Sequence, residues 1–125
     1  GAATPLIRAM PNTPAAVGRG ITAICGNARA SEADMALAEA LLSAVGQVVR
    51  LAGEHQMDAV TAVSGSGPAY FFLMMEAMID AGVELGLSRE CATELTLQTA
   101  LGAAMLAKES DFYSVILKRT NTKLD

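Results

Sequence analysis

The chain has 125 residues, 52% of them apolar, and a formal net charge of -4. That length suits one ordinary domain or a piece of a larger protein, and that apolar share suffices for a folded core. An acidic balance with only five aromatic residues (Tyr70, Phe71, Phe72, Phe112 and Tyr113) supplies neither a basic field for phosphates nor platforms for stacked bases, so nucleic acid is excluded as a partner. Two distant cysteines, Cys25 and Cys91, and a single histidine, His55, fit no zinc spacing and no disulfide framework. No metal is expected, and a reducing cytoplasm is the expected location. The opening residues GAATPLIRAMPNTP lack the basic patch and apolar stretch of a signal peptide.

In chain order, PLIRAM (5–10) is the first β-prone run and leads into RAMPNTPAAVGRG (8–20). Pro11 and Pro14 stiffen that turn around Asn12 and Thr13 and push the residues before them towards extended geometry. Two readings stay open: a rigid turn built from ordinary turn residues, or a ligand loop, since loops at the carboxyl ends of strands in α/β sheets receive cofactors and substrates. GITAIC (20–25) and QVVRLA (47–52) are the second and third strands. Between them SEADMALAEALLSAVG (31–46) predicts a helix with Ser31 as N-cap and Gly46 as the glycine beyond its end. Its apolar residues Met35, Ala38, Leu41, Leu42 and Val45 form the face expected to lie on the sheet. A helix joining two strands makes a βαβ unit, but three strands and one helix leave edges and one face open, as in a part cut from a larger α/β domain.

After Gly53 the pattern becomes all-α, with a short helix near 54–63, a long one over 67–87 and another over 88–109 capped by Ser88. His55, Glu54 and Gln56 form a polar turn, and His55 is expected to be solvated. In the long helix Glu76, Asp80 and Glu84 recur every fourth residue as a single charged stripe, while Met74, Met75 and Met78 are expected in the core. These charges also argue against a membrane span. The next helix carries no charge from Leu95 to Ala107. Two such helices cannot cover each other completely, which predicts a homo-oligomer through residues 67–107.

The stretch VTAVSGSGPAYFF (60–72) reads first as a helix start, with Ser66 or Gly67 at the N-cap and Pro68 in the first turn. Ser64 and Gly65 exceed what capping needs, so a second reading has free N–H groups there favouring an anion such as a carboxylate. No nucleophile, base and orienting group converge, and no phosphate loop of nucleotide type is present.

Taken together, IRAMPNTPAAVGRGITAICGN, DAVTAVSGSGPAYFF and EAMIDAGVELGLSRECATELTLQTALGAA resemble pyrroline-5-carboxylate reductase over roughly residues 5–110. The resemblance implies a fold that is α/β followed by all-α: a remnant of a Rossmann-type sheet over 1–52, then part of a helical dimerisation domain over 53–110. It implies reduction of a small cyclic imine to L-proline with NADPH or NADH. Met10 to Pro14 would approach the nicotinamide, with Asn12, Thr13 and Pro14 as cofactor-binding candidates. Ser64, Gly65, Ser66 and Gly67 would line the substrate at the start of the long helix. Two family features are missing, the G-x-G-x-x-G fingerprint and a later loop of the type SPGGTT, so this chain alone is expected to be inactive and to bind no cofactor tightly. The tail DFYSVILKRTNTKLD (111–125), with its β-prone run FYSVIL (112–117), departs from the family pattern as read here. It is read as a truncated natural end, an added extension or readthrough. A non-catalytic helical self-association module is the alternative function.

Overall fold

The computed structural model describes residues 3–112 and 114. The elements run β1 (Ile7–Met10), β2 (Gly20–Gly26), α1 (Glu32–Leu42), β3 (Gly46–Arg50), α2 (Met57–Val60), α3 (Gly67–Glu84) and α4 (Arg89–Glu109), with short 3-10 turns between several of them. The chain divides into two compact units, residues 1–71 and 72–125.

In the first unit the three expected strands pair with one another, so none of them needs another copy as its only partner. The order is β1-β2-β3, with β1 antiparallel and β3 parallel to the central β2. β2 is the strand that the sequence built to be covered on both sides: Thr22, Ala23, Ile24 and Cys25 are all buried. Strand alternation places Thr22, Ile24 and Gly26 on the face that meets α1, where a Cβ on Gly26 would fall 2.9 Å from Met35 Sδ. Ile21 and Ala23 point to the other face, opposite α2.

Helix α1 starts at a full capping box, in which the Ser31 hydroxyl accepts from Asp34 N–H at 3.1 Å and the Asp34 carboxylate accepts from Ser31 N–H at 2.9 Å. It ends at Leu42, earlier than expected, and a 3-10 turn over Ser43–Val45 carries the chain to Gly46. Gly46 therefore opens β3 instead of closing the helix. Its φ of 150° is open to glycine, and a Cβ there would sit 2.0 Å from the Gly20 carbonyl oxygen, so β2 and β3 approach each other through two bare backbones. Arg50, facing α1 from β3, donates to Glu32 at 2.8 Å and to Glu39 at 2.7 Å, and these bonds hold its proton more firmly than usual. Leu41, expected against the sheet, is 68% exposed because the open β1 edge leaves that end of α1 uncovered.

In the second unit α3 closes with a Schellman motif: Leu87 N–H donates to Gly82 O and Gly86 N–H to Val83 O, both at 3.0 Å, around Gly86 at φ 110°. The helix therefore stops at Glu84. Ser88 then caps α4 by accepting from Cys91 N–H at 3.1 Å. The expected strand at 112–117 lies outside the described residues apart from Phe112 and Ser114. Met74 and Met78, expected in the core, are exposed, and Met75 is half-buried. Among the described residues the buried apolar side chains are only Ala23, Ile24, Cys25, Met57 and Ala92. The core is therefore much smaller than an apolar share of 52% can fill.

Gly46→Ala is expected to lower stability by at least about 3 kcal/mol, since φ and the clash act together; the midpoint of urea unfolding checks it. Donation to the Asp34 carboxylate from Ser31 N–H, and secondarily from the Ser31 hydroxyl, holds that carboxyl below the usual aspartate range. A folded-state value below the unfolded one means that its stabilisation is complete above the unfolded value and is lost as pH falls through the folded value. The Tm difference between the natural chain and Asp34→Asn should accordingly persist at neutral pH and close in acid.

Candidate functional site

The carboxyl end of β1 is where the two sequence motifs meet. Pro11 has no N–H and ends strand pairing after Met10, which stands opposite Ala23. Continuing that register by two residues brings Asn12 across from Ile21. The Asn12 side chain completes the ladder in place of a strand backbone: its Oδ1 accepts from Ile21 N–H at 2.9 Å.

The other half of the amide faces the segment between α2 and α3. Here Thr61–Gly65 forms a π-helical turn, and Thr61 Oγ1 and Ser64 Oγ donate to the carbonyls of Met57 and Val60, each at 3.1 Å. Hydroxyl bonds back to the fourth preceding carbonyl compete with the α-helical ladder, and Ser66 N–H instead donates to Thr61 O, five residues back, at 2.8 Å. Four residues after Ser64 stands Pro68, which cannot donate the α-helical bond that the Ser64 carbonyl would accept. Ala69 N–H is taken by Ser66 O at 3.1 Å. Asn12 Nδ2 supplies the missing donor, reaching Ser64 O at 3.2 Å.

The direction of this amide is dictated by its partners. An N–H can only donate and a carbonyl can only accept, so Oδ1 must face Ile21 and Nδ2 must face Ser64. The structure thus joins Asn12 to Ser64, 52 residues apart in sequence. Beside Asn12, Thr13 is exposed and Pro14 half-buried at the start of a 3-10 turn over Thr13–Val17. Ser64, Gly65 and Ser66 are half-buried and Gly67 is buried. The expected N-cap is replaced by a helical approach: Ser66 has φ -89° and ψ -18°, whereas a capping residue would be extended. Ser64 and Gly65 lie inside the π turn, so their N–H groups do not form the free row that the anion reading required.

Alongside this junction, between the outer face of the sheet and α2, lies an apolar cavity of about 340 Å³ lined by Ile21, Ala23, Val49, Leu51, Val60 and Val63 among others. Its two polar lining residues spend Gln56 Oε1 on Ala52 N–H and Ser64 Oγ on Val60 O. None of the residues from Asn12 to Pro14 or from Ser64 to Gly67 carries a charge, so they can position and desolvate a ligand but supply no ionised acid or base. His55 is exposed, as expected, and no cluster of metal ligands occurs among the described residues. Among them there is also no Gly-rich turn of dinucleotide type. The described residues thus supply no phosphate-binding turn for such a cofactor, and the loop after β1 is an uncharged turn at the carboxyl end of a strand. No helix among the described residues is long and apolar enough to cross a membrane.

Sequence reasoning found both motifs but missed their connection. A signal for half of it was present, because proline at position 68 leaves the Ser64 carbonyl without its helical partner. Nothing local named the donor.

A small sheet with a βαβ unit followed by long helices defines an α/β fold continued by a helical dimerisation domain. The family described as pyrroline-5-carboxylate reductase dimerisation matches residues 54–123, more than half of the sequence, and the chain belongs to that family. The match runs well into the tail set apart above. A pyrroline-5-carboxylate reductase of Pseudomonas aeruginosa is 57% identical over 118 residues, covering 94% of this chain and 43% of the relative. A solved pyrroline-5-carboxylate reductase of Coxiella burnetii is 44% identical with a TM-score of 0.88, over 97% of this chain and 45% of that one. The pyrroline carboxylate reductase of Plasmodium falciparum, solved with NADP bound, is 41% identical with a TM-score of 0.79, over 84% of this chain and 43% of that one. The chain thus spans less than half the length of these relatives.

Proposed function

We propose that this chain is part of a pyrroline-5-carboxylate reductase, which reduces the cyclic imine 1-pyrroline-5-carboxylate to L-proline with NADPH or NADH in the cytoplasm. The observation that carries this reading is the match of 118 of 125 residues at 57% identity, too long to leave out either motif. When bound, the nicotinamide supplies a hydride to the imine carbon, and the ring nitrogen keeps a proton. The work of these residues is to hold and shield the reactants. Asn12, Thr13 and Pro14 form the cofactor-side wall, stiff because of its prolines. Ser64, Gly65, Ser66 and Gly67 form the substrate-side wall, where small residues let a ring approach the backbone. Residues 1–52 are the last part of the dinucleotide-binding domain, and the helical domain begins at Gly53.

The complete reductase works as a homo-oligomer through helices 67–107. Support comes from exposed side chains that water alone would leave costly: Phe71, Phe72, Leu73 and Met74 on α3, and Leu95, Leu101, Met105 and Leu106 on α4. The narrow stripe of Glu76, Asp80 and Glu84 leaves the rest of α3 for a partner.

Two outcomes are expected. The purified chain should show no pyrroline-5-carboxylate-dependent oxidation of NADPH or NADH, whereas the reductase that contains it should; turnover by the chain, or none by that reductase, would overturn the reading. Light scattering of the chain should give a dimer or larger species that persists on dilution, and Phe72→Glu should weaken it; a stable monomer would contradict the interface.

A further inference from the structure

We propose that Asn12 is a positioning residue: by donating to the carbonyl that Pro68 leaves without a helical partner, its side chain fixes Ser64–Gly67 against the end of β1. This deepens, and rests on, the assignment of those two segments as the walls of the reductase cleft. The resemblance by itself implies only a place on the cofactor side. The geometry points to a second task for its side chain, because each end of the amide already holds a backbone partner, Oδ1 accepting from Ile21 N–H at 2.9 Å and Nδ2 donating to Ser64 O at 3.2 Å.

Three features make Asn12 the right residue for this task. Its side chain carries an acceptor oxygen and a donor NH2 on one short, planar group, and the two partners offer one donor and one acceptor. It follows Pro11, so the backbone there has already left the ladder and the side chain takes the place of a strand partner for Ile21. It reaches a π-helical turn, which carries an extra residue per turn and can relax to α-helix by shifting everything after it. With the Ser64 carbonyl tied to the sheet, that shift is resisted. The height of Ser64–Gly67 relative to Thr13 and Pro14 is then set by one amide, and a misplacement of about 1 Å between reacting partners costs about 10²-fold in rate.

Asn12→Asp separates the two arms, since an oxygen still faces Ile21 N–H but the donor to Ser64 O is gone. In hydrogen exchange of this chain, the variant should speed the amides of 61–67 by about tenfold or more and leave 22–26 near their natural rates. Adding Pro68→Ala, which restores an N–H four residues after Ser64, should recover part of the lost protection. Unchanged exchange at 61–67 would overturn the proposal, as would equal loosening of both segments. In the reductase that carries this segment, Asn12→Asp should lower kcat about 10²-fold while the KM for NADPH or NADH stays within about twofold. A large rise in that KM with kcat retained would make Asn12 a cofactor ligand and overturn the positioning role. A natural reductase without activity would overturn the functional reading instead, and the exchange result would still decide the clamp.

Discussion

A proline in a helix leaves one carbonyl without its donor, and the first unit is organised around the answer to that shortage. Pro68, the second residue of the long helix, has a fixed φ and no N–H, which suits a first turn but strands the Ser64 carbonyl. Burying such a group unpaired costs about 1–3 kcal/mol. Asn12 meets it from across the unit, and the same side chain extends the β1-β2 pairing beyond the point where Pro11 ends it. Two prolines thus create two gaps in backbone hydrogen bonding, and one asparagine closes both.

The packing around this junction is economical. β2 supplies most of the buried apolar side chains, with Met57 of α2 against its outer side of the sheet and α1 against the inner one. Ion pairs at the rim contribute less than they suggest: Arg8 with Glu54 and Arg50 with Glu32 and Glu39 are substantially solvated, and water screens such pairs. What dominates is apolar surface left open on both helices of the second unit. Its extent fits a chain that spans less than half of its relatives.

Local chemistry made much of this legible beforehand. Ser31 ahead of an apolar-periodic run announces an N-cap, and Ser88 soon after a glycine announces the next helix. The strands stood out by β-branched runs between turn residues. Boundaries failed where two local preferences competed: Gly46 looked like a helix terminator, yet its freedom is spent on the approach of β3 to Gly20. Met74 and Met78 looked like core because periodicity reports which face is apolar and not what covers it. The π turn was hidden because Thr61 and Ser64 read as ordinary polar residues until their hydroxyls are seen bonding backward. Pairing across 52 residues is set by tertiary structure, so the bond between Asn12 and Ser64 had no sequence-local trace beyond Pro68 itself.

The central claim is that a single side-chain amide bonds to both partners at once. Its most direct test is a through-hydrogen-bond scalar coupling by NMR between Asn12 Nδ2 and the carbonyl carbon of Ser64, measured with the β1-β2 backbone couplings as an internal reference. The account predicts a coupling at Ser64 comparable to those of the ladder. Backbone couplings present with none at Ser64 would contradict it.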